Sequence, residues 1–186
     1  EIKMGARETY PIELAGIKRE LPLFEVKPGL KIALLNILGD TPLVEACARE
    51  LVKRTSGIDY DVIITAESKS IPLAHAMSVL TSKPYVVLRK SYKFYMGEAL
   101  KAETLSITTG APQVLILDEK DHLLIRGRKV MVLDDVVSTG STLEGMRSLM
   151  DQAGAEIAAE TAICTEGDDD SWSNIISLAH LPLFEE

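Results

Sequence analysis

The chain has 186 residues, of which 46% are hydrophobic and 26% charged, and its formal net charge at pH 7 is −8. This length suits one well-buried domain with an appendage, and the acidic balance argues against nucleic acid as a partner. No run approaches the roughly 18 apolar residues of a membrane-spanning helix, and no signal-peptide pattern is present, so we expect a cytoplasmic protein that does not bind membranes.

Residues 1–40 predict a small β-rich appendage, or hood, packed on the core. Two strand-like runs between residues 8 and 23 flank Gly16, which is typical of a hairpin, and another apolar run covers residues 31–38.

Residues 41–186 predict an α/β core that begins with a helix. Thr41 and Pro42 suit the N-cap and first position of that helix. Its apolar face comprises Val44, Cys47, Ala48, Leu51 and Val52. The cysteines, Cys47 and Cys164, lack metal-ligand spacing, so we expect buried thiols rather than a disulfide.

Two strand, polar loop and helix sequences follow. In the first, residues 62–65 form a strand, a helix starts near Pro72 with Leu80 on its inner face, and residues 85–88 form the next strand. A βαβ unit of this kind is right-handed and parallel. With a second such sequence after residue 130 and a strand at 157–163, we expect an open, mostly parallel sheet with helices on both faces.

The second sequence has the composition of a phosphate site. The apolar residues 130–133 predict a strand that the carboxylates of Asp134 and Asp135 bring to its end, and a helix follows the loop up to Gly154. Small residues in the loop let several backbone N–H groups converge at a helix N-terminus, where an anion is favoured. These residues, which we call the phosphate cup, are Ser138, Thr139, Gly140, Ser141 and Thr142.

A simple capping box between Ser141 and Glu144 is the structural alternative, but it would not require the paired acids. We instead expect Asp134 and Asp135 to accept hydrogen bonds from vicinal sugar hydroxyls. A sugar with its phosphate in the cup is a ribose 5-phosphate.

Residues 130–142 resemble the signature of type I phosphoribosyltransferases for 5-phosphoribosyl 1-pyrophosphate (PRPP), in which apolar residues and an acidic pair precede a Thr-Gly-Gly-Thr-like loop. The chain departs at Ser141, where the family more often has glycine. The resemblance implies that a loop formed by Ser68, Lys69 and Ser70 contacts pyrophosphate. It also implies that Mg²⁺ arrives with PRPP, close to Asp134, without direct ligation by the protein.

A basic segment lies between the two loops. From Lys83 to Lys101 there are five basic residues and one acid, a net charge of +4, which suits a small polyanion but also a solvated loop. By resemblance, residues of about 90–110 correspond to the mobile loop that closes over PRPP. Arg89, Lys90 and Lys93 match its basic phosphate contacts, and we expect its arms at residues 114–117 and 123–125. The predicted catalytic residues are Asp134, Asp135, Arg89 and Lys93.

The tail, residues 165–186, begins with an acidic turn and continues as an apolar stretch. Three consecutive carboxylates at Asp168 to Asp170 suit a solvated turn better than a metal site, because no spaced partners accompany them. The apolar stretch is expected to pack back onto the domain or a partner subunit. His75, His122 and His180 are scattered, which argues against a hydrolase triad.

The overall layout most resembles the adenine phosphoribosyltransferase branch, which implies purine salvage from PRPP in a homodimer. That branch carries a glutamate where Thr108 follows Ser106 and Ile107, and in this respect the xanthine branch is more similar. Alternatives are therefore a xanthine or other 6-oxopurine enzyme, and a regulator that senses PRPP without catalysis. Regulators of this kind usually carry a DNA-binding module, and residues 1–40 show no helix-turn-helix pattern.

Overall fold

The computed structural model describes residues 7–105 and 111–185, so Ser106, Ile107 and Thr108 lie outside the described residues. The elements in chain order are β1 (Thr9–Leu14), β2 (Ile17–Lys27), β3 (Leu30–Ala33), α1 (Thr41–Arg54), β4 (Val62–Ala66), α2 (Ile71–Thr81), β5 (Tyr85–Leu88), β6 (Leu100–Leu105), β7 (Pro112–Leu117), α3 (Glu119–Ile125), β8 (Lys129–Val137), α4 (Ser141–Ala153), β9 (Glu156–Glu166), β10 (Ile176–Leu181) and β11 (Leu183–Glu185). Short 3₁₀ helices cover Phe94–Met96 and Asp169–Trp172.

The core is a five-stranded sheet in the order β10-β9-β8-β4-β5, and every pair in it is parallel. One face packs against α1 and α2, and the other against α3 and α4, so all five residues of β4 are buried. Parallel strands need such cover on both faces. The predicted α/β fold, with helices on both faces of the sheet, is therefore confirmed.

The order of the strands places a topological switch between β4 and β8. From β4 the chain passes through α2 to β5 on one side, whereas β8 lies on the other side and leads through α4 to β9. The connections after β4 and β8 thus diverge at the carboxyl edge of the sheet. Ligands of open α/β sheets bind in the crevice at such a point.

A second, four-stranded sheet forms the hood in the order β1-β2-β3-β11. The predicted hairpin is present, and Gly16 in its turn has a φ of 82°. β11 from the tail pairs antiparallel with β3, and β10 extends the central sheet beside β9, so the tail packs back onto the domain. The hood shares a buried cluster with α1, which fixes it to the core.

Two helical details differ from the sequence expectation. Asp40, not Thr41, is the N-cap of α1, because its side chain accepts a hydrogen bond from the Leu43 N–H. Leu80, predicted to face inward, is 48% exposed near the end of α2. Within the described part of the chain, no helix combines the length and apolarity needed to cross a membrane.

Of the two predicted arms of the basic segment, the one at residues 114–117 is confirmed and the one at residues 123–125 is wrong. β6 and β7 form the antiparallel pair, whereas residues 123–125 belong to α3. The Asp118 side chain accepts a hydrogen bond from the Lys120 N–H and so caps α3, with Glu119 and Asp121 in the favourable first turn. A short apolar run is compatible with either a strand or a helix, and the Asp118 cap favours the helix here.

Candidate active site

The sequence suggested that the acidic pair follows the strand. In the structure, both acids instead lie inside β8. β8 continues to Val137 because β9 offers backbone partners as far as Thr165. Asp134 is partly exposed, whereas Asp135 is buried with 6% of its surface accessible. Although side chains alternate along a strand, both carboxyl groups lie close enough to contact the same hydroxyl group, that of Ser70.

Ser70 joins the two acids to the loop that follows β4. Its Oγ lies 3.0 Å from Oδ1 of Asp134 and 3.3 Å from Oδ1 of Asp135, and it accepts a hydrogen bond of 3.0 Å from the Asp135 N–H. The Lys69 Nζ lies 3.3 Å from Oδ2 of Asp135. The structure thus brings both predicted sugar-binding acids together with two residues of the predicted pyrophosphate loop.

The surroundings of Asp134 favour its neutral form. Burial of the carboxyl group is the largest cause, and the negative charge of Asp135 adds to it, so that the pKa of Asp134 rises to about 8. A cationic ligand at this position would reverse the preference. Among the described residues, no three histidine, cysteine or acidic side chains converge as a ready metal site.

The predicted phosphate cup lies at the junction of β8 and α4. Gly140 adopts a left-handed conformation with a φ of 83° and is the N-cap of α4, where it has no side chain that could accept a hydrogen bond; the Thr139 Oγ1 accepts one of 3.5 Å from the Ser141 N–H. The Ser141 to Glu144 capping box is therefore not formed. A cavity of about 90 Å³ opens here and is lined by Asp134, Val136, Val137, Ser138, Thr139, Gly140, Ser141, Thr142 and Leu143. A helix N-terminus that faces a small concavity, with only this long hydrogen bond to cap it, is suited to phosphate.

The basic residues after β5 divide into three environments. Arg89 donates a hydrogen bond of 2.9 Å from Nε to Oε2 of Glu67. Lys90 lines, together with Thr142 and residues 112–115, a cavity of about 250 Å³ beside the cup. Lys93 is exposed at the start of the first 3₁₀ helix, and within the described residues it makes no ion pair with the acids. The structure brings Arg89 and Lys90 to the site and leaves Lys93 outside it.

Glu67 is a further site residue, for which the sequence predicted no role. Burial alone would raise its pKa, but the Lys90 N–H, which donates to Oε1, and the Arg89 guanidinium outweigh burial and lower it. Glu67 therefore holds Arg89 as a charged pair. The acid and the base on either side of Ser68 in Glu67-Ser68-Lys69 were the sequence feature that could have indicated a charged network here.

Glu166 and Trp172 contact the cup and were also missed. Ser138 Oγ donates a hydrogen bond of 2.6 Å to Oε1 of Glu166, and the indole ring of Trp172 lies against Gly140. Both residues lie far from the cup in sequence, so no local pattern could have placed them there.

The family model of the phosphoribosyl transferase domain matches residues 36–171, a range that contains both loops and the acidic pair. The chain belongs to this family. The purine biosynthesis transcriptional repressor of Bacillus subtilis is 25% identical over 166 residues, which are 87% of this chain and 58% of that protein. The adenine phosphoribosyltransferase of Agathobacter rectalis is 27% identical over 75% of this chain and 77% of its own length.

Two further similarities bear on the family. The hypoxanthine/guanine phosphoribosyltransferase of Methanococcus voltae is 37% identical over 61% of this chain and 57% of its own length. The chain thus spans less than two thirds of this enzyme and of the repressor. The crystal structure of adenine phosphoribosyltransferase from Thermoanaerobacter pseudethanolicus matches with a TM-score of 0.67 at 19% identity, over 93% of this chain and 95% of that one. This similarity confirms the phosphoribosyltransferase fold.

Proposed function

We propose that the protein is a purine phosphoribosyltransferase, which converts a purine base and PRPP to a nucleoside 5′-monophosphate and pyrophosphate. The single observation that carries the proposal is the contact of Ser70 with both Asp134 and Asp135. This contact supports the proposal because it joins the loop after β4 to the two acids of β8, and Asp134 also lines the cavity of the cup.

The reaction replaces the C1–O bond to pyrophosphate by a bond from C1 to a ring nitrogen of the base. Such a step gains most from positioning and from stabilisation of the leaving group. In our proposal the cup amides hold the 5-phosphate, while Asp134 and Asp135 orient the ribose. Lys69, Arg89 and Lys90 stabilise the departing pyrophosphate, and Lys93 would join them through closure of the segment near residues 90–110.

The site fits a magnesium ion that is carried by the substrate. Oδ2 of Asp135 is buried without a hydrogen bond among the described residues, and its charge partner is Lys69. Mg²⁺ is commonly bound by one or two carboxylates together with substrate phosphates. When bound, the ion would neutralise charge on the leaving pyrophosphate. Asp134 and Asp135 are the residues that would hold it, in contrast to our expectation from the resemblance that no protein group ligates the ion directly.

Adenine is the base that we favour. The 27% identity to an adenine enzyme over 75% of the chain supports it, whereas the 37% identity to a hypoxanthine/guanine enzyme over 61% of the chain supports a 6-oxopurine instead. The test is to supply PRPP and Mg²⁺ with adenine, hypoxanthine, guanine or xanthine separately, and to measure the nucleotide formed by chromatography. AMP as the main product supports the proposal, and IMP, GMP or XMP supports the alternative.

A regulator that binds PRPP without catalysis is the second candidate. The similarity to the Bacillus subtilis repressor, which extends over 87% of this chain, supports this second candidate. The same assay decides between the two candidates when PRPP binding is measured in parallel by calorimetry. Binding of PRPP without product from any base would establish the regulator and contradict the enzyme.

We also propose a homodimer. Val79 and Leu80 on α2 are exposed beside a groove of about 380 Å³ between α1 and α2, which a second copy would cover. The molar mass from light scattering tests this: twice 20.3 kDa is expected, and 20.3 kDa contradicts it.

A further inference from the structure

A buried carboxyl group is hydrogen-bonded to the phosphate cup. Glu166, the last residue of β9, is only 4% exposed, and its Oε1 accepts the hydrogen bond from Ser138 Oγ. Burial is the main reason that the pKa of this carboxyl is raised. The Ser138 hydroxyl is therefore turned toward the sheet, which leaves the backbone of the cup to face a ligand.

An indole ring also packs on the cup. A Cβ atom at Gly140 would lie 2.6 Å from Cη2 of Trp172, so the ring is packed directly on the glycine backbone. The Trp172 Nε1–H donates a hydrogen bond of 3.0 Å to the backbone oxygen of Glu166. The two contacts with the cup are thus linked to each other through Glu166.

The acidic turn that precedes Trp172 holds the ring in place. The Asp168 carboxylate accepts hydrogen bonds from the Asp170 N–H at 3.3 Å and from Ser171 Oγ at 2.8 Å, which caps the 3₁₀ helix that ends at Trp172. The Nε2 of His180 lies 2.9 Å from the Gly167 oxygen. Trp172 also lies one position beyond the segment that matches the family model, which ends at residue 171.

We propose that Glu166 and Trp172 are positioning residues that clamp the cup in its phosphate-binding conformation and so set the affinity for the 5-phosphate of the ligand. This inference rests on the proposed function. Neither side chain needs to touch the ligand. Each acts through the backbone, since amides that already converge need not be ordered when phosphate binds.

The clamp predicts a selective loss of affinity. Trp172→Ala should weaken ribose 5-phosphate binding about 10-fold and Trp172→Phe about fivefold, because the far edge of the indole contacts Gly140 and the shorter phenyl ring lacks both this edge and the Nε1–H. Glu166→Ala should also weaken it about 10-fold, whereas Glu166→Gln retains an acceptor for Ser138 and should stay within about twofold of the unmodified protein. Pyrophosphate affinity should remain unchanged in both Trp172 variants, because its proposed loop follows β4. In the Glu166 variants it should not fall, because the Glu166 carboxyl interacts electrostatically with Lys69 and its loss removes a negative charge that competes with the ligand.

Calorimetric titration of the full chain with ribose 5-phosphate and, separately, with pyrophosphate measures both affinities. Glu160→Gln, on the same strand but paired with the surface residue Arg147, and Ile157→Ala, packed on the same apolar cluster, are the matched controls. Because Trp172 is the only tryptophan, its fluorescence should respond to ribose 5-phosphate and not to pyrophosphate in the unmodified protein.

The outcomes separate the clamp from the proposed function. Unchanged ribose 5-phosphate affinity in Trp172→Ala and Glu166→Ala overturns the clamp and leaves the proposed function standing. An equal loss for ribose 5-phosphate and pyrophosphate also overturns the clamp, because it shows a general structural defect. If the unmodified protein binds neither ribose 5-phosphate nor PRPP, the proposed function fails and the clamp fails with it. If the alanine variants do not fold, Trp172→Phe carries the test, and unchanged ribose 5-phosphate binding in Trp172→Phe overturns the clamp. Binding more than about fivefold weaker in Glu166→Gln also contradicts it, because that variant keeps the acceptor for Ser138.

Discussion

The two loops at the switch between β4 and β8 are built in different ways. The phosphate cup is shaped by backbone geometry, with Gly140 in a left-handed conformation at the start of α4. The loop after β4 is instead a network of charges, in which Lys69 pairs with Asp135, and Glu67 pairs with Arg89. One loop therefore presents a formed concavity, while the other has its cations already engaged.

This difference has a consequence for binding. Phosphate can enter the cup without breaking an ion pair, whereas pyrophosphate must compete with Asp135 and Glu67 for the cations of its loop. The affinity of the cup for phosphate should therefore depend little on pH. The affinity of the loop after β4 for pyrophosphate should change strongly with pH and with substitution of its charged residues.

Removal of the acids that both loops share should have the largest effect. Asp134→Asn and Asp135→Asn should each lower kcat/KM for PRPP more than about 100-fold, because orientation and charge at the ribose are lost while the side-chain size is kept. Steady-state kinetics measures this, and Asp151→Asn on the exposed end of α4 is the control. Near-normal kcat/KM in both variants would show that the acids do not serve the reaction.

A side chain at Gly140 should damage the cup alone. Gly140→Ala must adopt a positive φ and meets the ring of Trp172, so ribose 5-phosphate affinity should fall about 10-fold. Pyrophosphate affinity should be preserved. Adding Trp172→Ala removes the clash but keeps the strain and also removes the clamp, so we expect no recovery of affinity; a double variant as tight as the unmodified protein would mean that neither φ at this position nor the clamp matters.

The charged acid pair should make the ligand-free protein less stable as the pH rises. The pKa of Asp134 is raised to about 8, so between about pH 4 and pH 8 the folded state binds a proton that the unfolded state has released. Stability should therefore fall with rising pH, by at most about 1.4 kcal/mol per unit. Urea unfolding across this range tests it: Asp134→Asn should flatten the slope, and an unchanged slope would contradict the assignment.

The smallest effect should follow release of Arg89. Glu67→Gln removes the carboxylate that competes with pyrophosphate for the guanidinium, so pyrophosphate affinity should rise about threefold, in keeping with the small energy of a partly exposed pair. Ribose 5-phosphate affinity should not change. Weaker pyrophosphate binding would mean that Glu67 supports the loop and does not compete with the ligand.

Local sequence patterns predicted the parts of the fold that depend on short-range chemistry. β4, β5 and the helices after both loops were recognised from apolar spacing, and Gly154 ends α4 in the left-handed conformation expected of a helix terminus. The extension of β8 through the acids was missed, because two carboxylates read locally as the start of a turn, whereas pairing with β9 decides the matter.

The rest depended on contacts between distant parts of the chain. β11 pairs with β3 across most of the sequence, so no local pattern could assign the tail to the hood sheet. The same applies to Glu166 and Trp172, whose contacts with the cup exist only after β8 and β9 pair. The loop residues of the site were predictable because their chemistry is local, whereas the residues that hold them in place were not.

Backbone amide chemical shifts during a titration with ribose 5-phosphate test the central claim most directly. We predict that the N–H signals between Ser138 and Thr142 shift together and saturate, since these amides are proposed to bind the phosphate. Signals of the loop from Glu67 to Ser70 should move mainly when pyrophosphate is added. Ribose 5-phosphate that leaves the cup amides unshifted, or that shifts a different surface, would contradict the proposed site.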